Sequence, residues 1–250
     1  MAYENEPLHM SMMTMAGRTS VFHLRDDAGS KVRVLEVGGT MESATQLCER
    51  YCELVFEYTK LYDLMFRANI PLRHTLMLGG GGFSYPKYAI AGHPELAMDV
   101  VEIDEDIVDL AFEFFYLDRL YEEFDLEESG RLRIFTTDAL DFLEGTGETY
   151  DAILNDCFAG GKPVASLATA SCARLIKRRL TPGGVYLTNV VAALTGRKSH
   201  FLREQVAVLG RVFRHVWVVP LGADDPRTPD NNMVVACDDA LDIPEALAWE

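Results

Sequence analysis

The chain has 250 residues, 48% of them hydrophobic, with 23 Lys and Arg against 39 Asp and Glu and a formal net charge of −16. That length holds one large core plus a small appendage. The acidic balance lacks the basic footprint of a nucleic-acid binder but suits a cationic substrate, and no apolar run approaches the ~20 residues of a membrane span.

In chain order, residues 1–16 are polar and methionine-rich, without the basic and apolar regions of a signal peptide, and are expected to form a flexible tail on a cytoplasmic protein. Residues 17–42 read as a small N-terminal β-domain: a strand at 20–24, a turn at Asp26-Asp27-Ala28-Gly29, and an alternating strand at 31–37. Residues 43–67 read as one long linking helix, with Leu47, Tyr51, Leu54, Val55, Tyr58, Leu61 and Met65 at helical spacing and Pro71 stopping it. That stripe holds more apolar side chains than one hairpin can cover, which predicts a homodimer.

The helix opens a larger domain, 43–250, that alternates strand and helix from His74. Strands are predicted at 74–78, 98–103, 131–135, 151–155 and 185–190, and helices at 85–91, 105–116, 139–143, 167–179 and 199–209. Two last strands, 216–220 and 232–237, have only a polar loop between them and are expected to close the sheet edge as an antiparallel hairpin. Cys48, Cys52, Cys157, Cys172 and Cys237 are scattered and odd in number, so neither a disulfide framework nor a metal site is expected.

The most informative run is Leu76-Met77-Leu78-Gly79-Gly80-Gly81-Gly82, followed by Met98-Asp99-Val100-Val101-Glu102-Ile103-Asp104. An apolar strand ending in glycines, then a second ending in a carboxylate, is how a parallel α/β sheet builds a nucleoside site. Glycines allow the close turn, and Glu102 can accept both ribose hydroxyls with Ile103 beside it. Replacing Glu102 by Gln is therefore expected to weaken nucleoside binding and to leave stability nearly unchanged. A dinucleotide fingerprint needs a third glycine where Ser84 stands, and the P-loop ending Gly-Lys-Ser/Thr is absent. A sulfonium nucleoside, with no phosphate to hold, fits better. Asp138, in Thr137-Asp138-Ala139, ends the third predicted strand, where it can accept from the adenine amine or cap the helix that begins at Ala139. Asp156 ends the fourth, ahead of a loop at 158–166 containing Gly160 and Gly161 that is expected to act as a lid.

These residues resemble the spermidine synthase (polyamine aminopropyltransferase) family. The resemblance runs from about Gly17 to Cys237 and is carried by Gly39, Glu49-Arg50-Tyr51-Cys52-Glu53, the glycine turn, Val101-Glu102-Ile103-Asp104, Thr137-Asp138-Ala139 and Tyr150-Asp151-Ala152-Ile153-Leu154-Asn155-Asp156. It implies a mostly parallel, Rossmann-like sheet of the class I methyltransferase type with a small N-terminal β-domain. It also implies decarboxylated S-adenosylmethionine as co-substrate, an amine acceptor such as putrescine, and a homodimer. By the same resemblance Gly79 to Gly82, Glu102, Ile103, Asp138 and Ala139 hold the nucleoside, and Asp156 is the base for the attacking amine. Tyr51, a second catalytic candidate, and Glu53 are read either as walls of the amine pocket or as core and surface residues of an amphipathic helix.

The chain departs from that family at Gly82, where the family carries an aspartate facing the aminopropyl ammonium. It departs also at Glu42, where the family carries glutamine and where this chain gains an acidic contact, at Ala159, and at Ser171-Cys172. The loss at Gly82 keeps methyl transfer from intact S-adenosylmethionine open as an alternative, with a non-catalytic methylthioadenosine-binding module as a second. Fold transfers from such a resemblance; chemistry has to be argued from the site.

Overall fold

The structure is a computed structural model that describes residues 9–25, 29–159 and 162–247. Its N-terminal part is an antiparallel four-stranded sheet, β1 (His9–Thr14), β2 (Gly17–Arg25), β3 (Lys31–Val37) and β4 (Thr40–Gln46), in that spatial order. The expected tail is thus corrected: residues 9–14 pair with β2 along their whole length, and only residues 1–8 of it lie outside the described residues. The sheet also runs four residues past the expected boundary at 42, because β4 continues pairing with β3 up to Gln46. Of the predicted turn at 26–29, Asp26 to Ala28 lie outside the described residues. Val37 pairs with Thr40 across Gly38 and Gly39, whose φ values of 59° and 84° are those of the tight two-residue turn that matches strand twist. One step on, the register slips. Glu36 faces Met41 and Leu35 faces Ser43, so Glu42 is the extra residue of a β-bulge. A bulge turns a side chain out of the regular alternation, and Glu42 is the side chain that it turns.

The long linking helix is not formed. After β4, Cys48 adopts a φ of 60°, a short 3₁₀ turn covers Cys48–Arg50, Leu54 bridges back to Thr45, and a 3₁₀ segment runs over Glu57–Arg67. Strand pairing with β3 outweighs helical propensity over the first residues. Farther on, the buried Thr59, Tyr62 and Met65 recur every three residues, which is the 3₁₀ period and not the α period. The apolar surplus that argued for a dimer is used inside the chain. Met65 is fully buried, Leu54 and Leu61 pack on the main core, and Val55 packs on Val32, Val34 and Ala44.

The main sheet contains β5 (His74–Leu78), β6 (Ala97–Glu102), β7 (Leu132–Thr136), β8 (Tyr150–Asn155), β11 (Leu180–Ala192), β12 (His215–Pro220) and β13 (Asp230–Cys237). A small hairpin, β9 (Phe158–Ala159) with β10 (Lys162–Pro163), leaves the end of β8. The strand order is β12-β13-β11-β8-β5-β6-β7, parallel except for β13, which runs antiparallel to both neighbours. The helices are α1 (Ser84–Gly92), α2 (Glu105–Phe114), α3 (Leu117–Glu123), α4 (Leu126–Ser129), α5 (Ala139–Gly145), α6 (Ala170–Arg179) and α7 (His200–Gly210). Strand interiors are apolar on both faces: Met77 and Leu154 join one core, Leu76, Leu78 and Ile153 the other. Strand order reverses between β5 and β8, and in open α/β sheets such a switch point leaves a crevice at the strands' carboxyl ends. No helix among the described residues is long and apolar enough to cross a membrane.

Candidate active site

The crevice begins at the glycine turn after β5. Gly79 has a φ of 90° and Gly81 of 49°, and a Cβ on Gly79 would lie 2.7 Å from the carbonyl oxygen of Asp156. Only glycine allows that approach between the ends of β5 and β8. Glu102, at the end of β6, braces the turn: its Oε2 accepts from the backbone N–H of Gly80 at 2.8 Å and of Gly81 at 3.0 Å, and its Oε1 from that of Asp104 at 3.2 Å. Gly82 is placed differently from expectation. It is buried and lines no cavity; a Cβ there would meet Ser43 Oγ at 2.8 Å and Phe115 Cδ1 at 3.0 Å.

Two cavities open beside this turn. One, of about 360 Å³, is lined by Gly79, Gly81, Glu102, Ile103, Asp138 and Ala139, together with Ile107, Val164 and Leu167. It has the size and the apolar walls of a nucleoside site, with carboxylates at separate points. Asp138 caps α5, its Oδ1 accepting from Leu140 N at 2.7 Å and Asp141 N at 3.1 Å. Capping occupies one oxygen, and the other is left for a ligand. The second cavity, of about 290 Å³, lies between β4, the 3₁₀ segment and the ends of β8 and β11. Gly80 faces this one.

Glu42, Gly79, Gly81, Asp156 and Phe158 line both cavities, so they mark the junction. Asp156 is held there firmly. Its Oδ1 accepts from Asn189 Nδ2 at 3.0 Å and its Oδ2 from the Tyr58 hydroxyl at 3.2 Å, while its backbone N–H donates to Leu78 O at 2.8 Å. Burial raises its pKa above the ordinary aspartate value, opposed in part by the hydrogen bonds from Asn189, Tyr62 and Tyr58. A carboxylate so raised is a stronger base than one in water. Tyr58 is raised well above the usual phenol value by burial and then by Asp156, and so keeps its proton. Glu42, aimed inward by the bulge, is pushed up to about 7 by burial and by the neighbouring charges of Glu102 and Asp156. Asn189 Oδ1 is buried without a hydrogen-bond partner, although its amide nitrogen is satisfied by Asp156. An orphaned acceptor at a cavity wall calls for a donor from a ligand.

Tyr51 and Glu53 do not belong to this site. Tyr51 is buried beside Tyr116, donates to Glu123 Oε2 at 2.8 Å and lies under the Arg119 guanidinium. Glu53 is exposed and pairs with Arg50 at 2.8 Å. On this stretch of chain the second cavity is lined instead by Phe56, Tyr58 and Thr59, a few residues on. Tyr58 and Asn189, which line the second cavity, were not among the expected site residues: Tyr58 read as part of a helical stripe, and Asn189 was given no role. Of the predicted lid, Gly160 and Gly161 lie outside the described residues, and a 3₁₀ turn covers Ala165–Ala168.

Comparison with known proteins finds relatives of this chain. The chain is 29% identical over 159 residues to a polyamine aminopropyltransferase of Chromobacterium violaceum, covering 63% of this chain and 58% of that protein. It is 27% identical over 183 residues to the human eEF1A lysine and N-terminal methyltransferase, covering 68% of this chain and 25% of that protein. The chain thus spans less than two thirds of the length of either relative. Among solved structures, a probable spermidine synthase from Corynebacterium glutamicum superposes with a TM-score of 0.78 over 96% of this chain and 85% of that one, at 22% identity, a likeness of fold. A family model for the spermine/spermidine synthase domain matches residues 57–218, well over half of the sequence. This chain, with its glycine turn, strand-end glutamate and junction aspartate, belongs to the spermine/spermidine synthase domain family.

Proposed function

We propose that the chain transfers an aminopropyl group from decarboxylated S-adenosylmethionine to a primary amine. One observation carries this reading: Glu42, Glu102, Asp138 and Asp156 line the two joined cavities, and no Lys, Arg or His is among the described side chains that line either. Such a cleft favours a nucleoside that is a sulfonium and an ammonium together. Its described side chains offer no cation to the carboxylate of intact S-adenosylmethionine, which would face like charges.

In this reading the nucleoside lies in the larger cavity, its ribose on Glu102, its adenine between Ile103 and Ala139 with Asp138 at the amine edge, and its aminopropyl ammonium against Glu42. The acceptor enters the smaller cavity and presents its nitrogen to Asp156, Asn189 Oδ1 and Tyr58. A primary amine is mostly protonated near neutrality, with a pKa of about 10, so attack requires a base within hydrogen-bond reach. Asp156 takes the proton, the freed lone pair attacks the carbon bound to sulfur, and the C–S bond breaks to release neutral methylthioadenosine. Holding both partners at one junction supplies the alignment. A homodimer is proposed on the family resemblance, and a monomer mass by light scattering at micromolar concentration would dismiss it.

The rival is methyl transfer from intact S-adenosylmethionine, favoured by the likeness to a methyltransferase. Product analysis separates them. Incubation with either nucleoside and an amine panel should release methylthioadenosine from the decarboxylated form, whereas S-adenosylhomocysteine from the intact form would establish the rival.

A further inference from the structure

We propose that the preferred acceptor is a primary monoamine with an uncharged carbon chain, and not a diamine. The inference rests on the transfer reading above and narrows its substrate. The acceptor cavity holds two carboxylates, Glu42 and Asp156, and both stand at the junction with the nucleoside cavity. None of the described residues lining the acceptor cavity alone is charged. Its far wall is Thr40, Met41, Phe56, Val191 and Asn231.

The neutral polar groups there do not replace a carboxylate. Ser43 and Ser84 are hydrogen-bonded to each other at 2.7 Å, and Ser84 Oγ also donates to the Ala44 carbonyl at 2.9 Å. Asp63, on the neighbouring 3₁₀ segment, accepts from the hydroxyls of Tyr85 and Tyr88 and lines neither cavity. A second ammonium at this end would meet no carboxylate among the described side chains, and beside the exposed Thr40, Met41 and Val191 it would gain nothing over water. A methyl or aryl end would instead cover apolar wall and gain from it. The other end is well provided for: the orphaned Asn189 Oδ1 and the Asp156 carboxylate both accept from one nitrogen. The cleft is built to receive a single amine head.

The chemical step is unchanged. The acceptor's ammonium gives one proton to Asp156, its nitrogen forms the bond to the aminopropyl carbon, and the C–S electron pair leaves with methylthioadenosine. The product is a secondary amine carrying one aminopropyl arm.

The test compares n-butylamine with putrescine, which differ only in the second amine, on protein saturated with methylthioadenosine at about 0.15 M salt to screen the protein's general negative field. Calorimetry should show n-butylamine bound at least tenfold more tightly. Equal or tighter binding of putrescine overturns the inference, as does failure of both amines to bind. Asn231→Asp, which adds a far-end carboxylate at constant shape, should move the ratio at least tenfold toward putrescine; Val191→Asp, at a side chain that is 41% exposed, carries the same expectation. A ratio that moves in neither variant also overturns it. Turnover with decarboxylated S-adenosylmethionine separates the two readings. Tighter n-butylamine without methylthioadenosine release sinks aminopropyl transfer and leaves the monoamine preference standing. Faster release with putrescine does the reverse.

Discussion

Glu102→Gln perturbs both the proposed nucleoside site and the turn that shapes it, so stability, expected from the sequence to stay nearly unchanged, should instead fall. In the structure the Glu102 carboxylate accepts three backbone N–H groups, two from the glycine turn and one from Asp104. Hydrogen bonds to a charged acceptor contribute about 1.5–3 kcal/mol and neutral ones about 0.5–1.5. An amide that keeps its oxygen toward Gly80 and Gly81 therefore loses roughly 1 kcal/mol at each. Its NH₂ then faces the Asp104 N–H, donor against donor, for roughly 1 kcal/mol more. Relief of the repulsion with Glu42 and Asp156 offsets part of this, leaving a net loss of about 2 kcal/mol. For a chain of this size that lowers Tm by about 4–8 °C. Methylthioadenosine affinity should fall at least tenfold in the same variant, since two ribose hydroxyls lose a charged acceptor. Differential scanning calorimetry and isothermal titration read the two effects. An unchanged Tm would refute the bracing role, and an unchanged affinity would refute the ribose role.

Asp156→Asn should keep methylthioadenosine affinity within a few-fold and cut turnover by roughly 10²–10⁴, the span of a positioned base; steady-state and binding assays on one preparation decide it, and near-normal turnover would remove Asp156 as base. Glu42, with its carboxyl pushed up to about 7, is half protonated at neutral pH, so binding decarboxylated S-adenosylmethionine should release about half a proton while neutral methylthioadenosine releases none. Calorimetry in buffers of different ionisation enthalpy measures this. Because the folded value lies above the ordinary 4.5, the folded chain binds more protons than the unfolded one between those values. The contribution of Glu42 to ligand-free stability is thus present below 4.5 and is lost as pH rises through about 7, which urea unfolding across that range would show. Gly82→Asp should lower Tm, because its Cβ would press on Ser43 and Phe115, and should leave the preference between the two nucleosides unchanged; a shift toward the decarboxylated form would restore the position to the ligand site.

The parallel sheet was legible because its strands are apolar on both faces and end in residues with a fixed task. Gly79, Glu102, Asp138 and Asp156 could be placed from sequence since each sits at a strand's carboxyl end, where topology alone brings them together. Capping by Asp138, one of the two roles left open for it, was legible too. The region from Thr40 to Arg67 was not legible. Leu47, Tyr51, Leu54, Tyr58, Leu61 and Met65 fit an α-helical stripe, but strand pairing claimed the first residues and the rest wound with a three-residue period. That error moved the expected pocket wall to Tyr51 and Glu53, away from Phe56, Tyr58 and Thr59, which line the second cavity. The reach of Glu42 was hidden for a different reason: it depends on one bulge, and a one-residue slip in pairing leaves no mark in the pattern of apolar residues. Asn189 becomes a site residue only through its distance to Asp156, a contact between residues 33 apart in sequence.

The central claim is that a cleft lined by four carboxylates, with no basic residue among the described side chains that line it, selects a nucleoside without a carboxylate of its own. Competition titration of decarboxylated against intact S-adenosylmethionine on the unmodified protein tests it most directly. The account predicts at least tenfold tighter binding of the decarboxylated form, with the gap narrowing in Glu42→Gln as one of the repelling charges is removed. Equal affinities, or preference for the intact form, would contradict it.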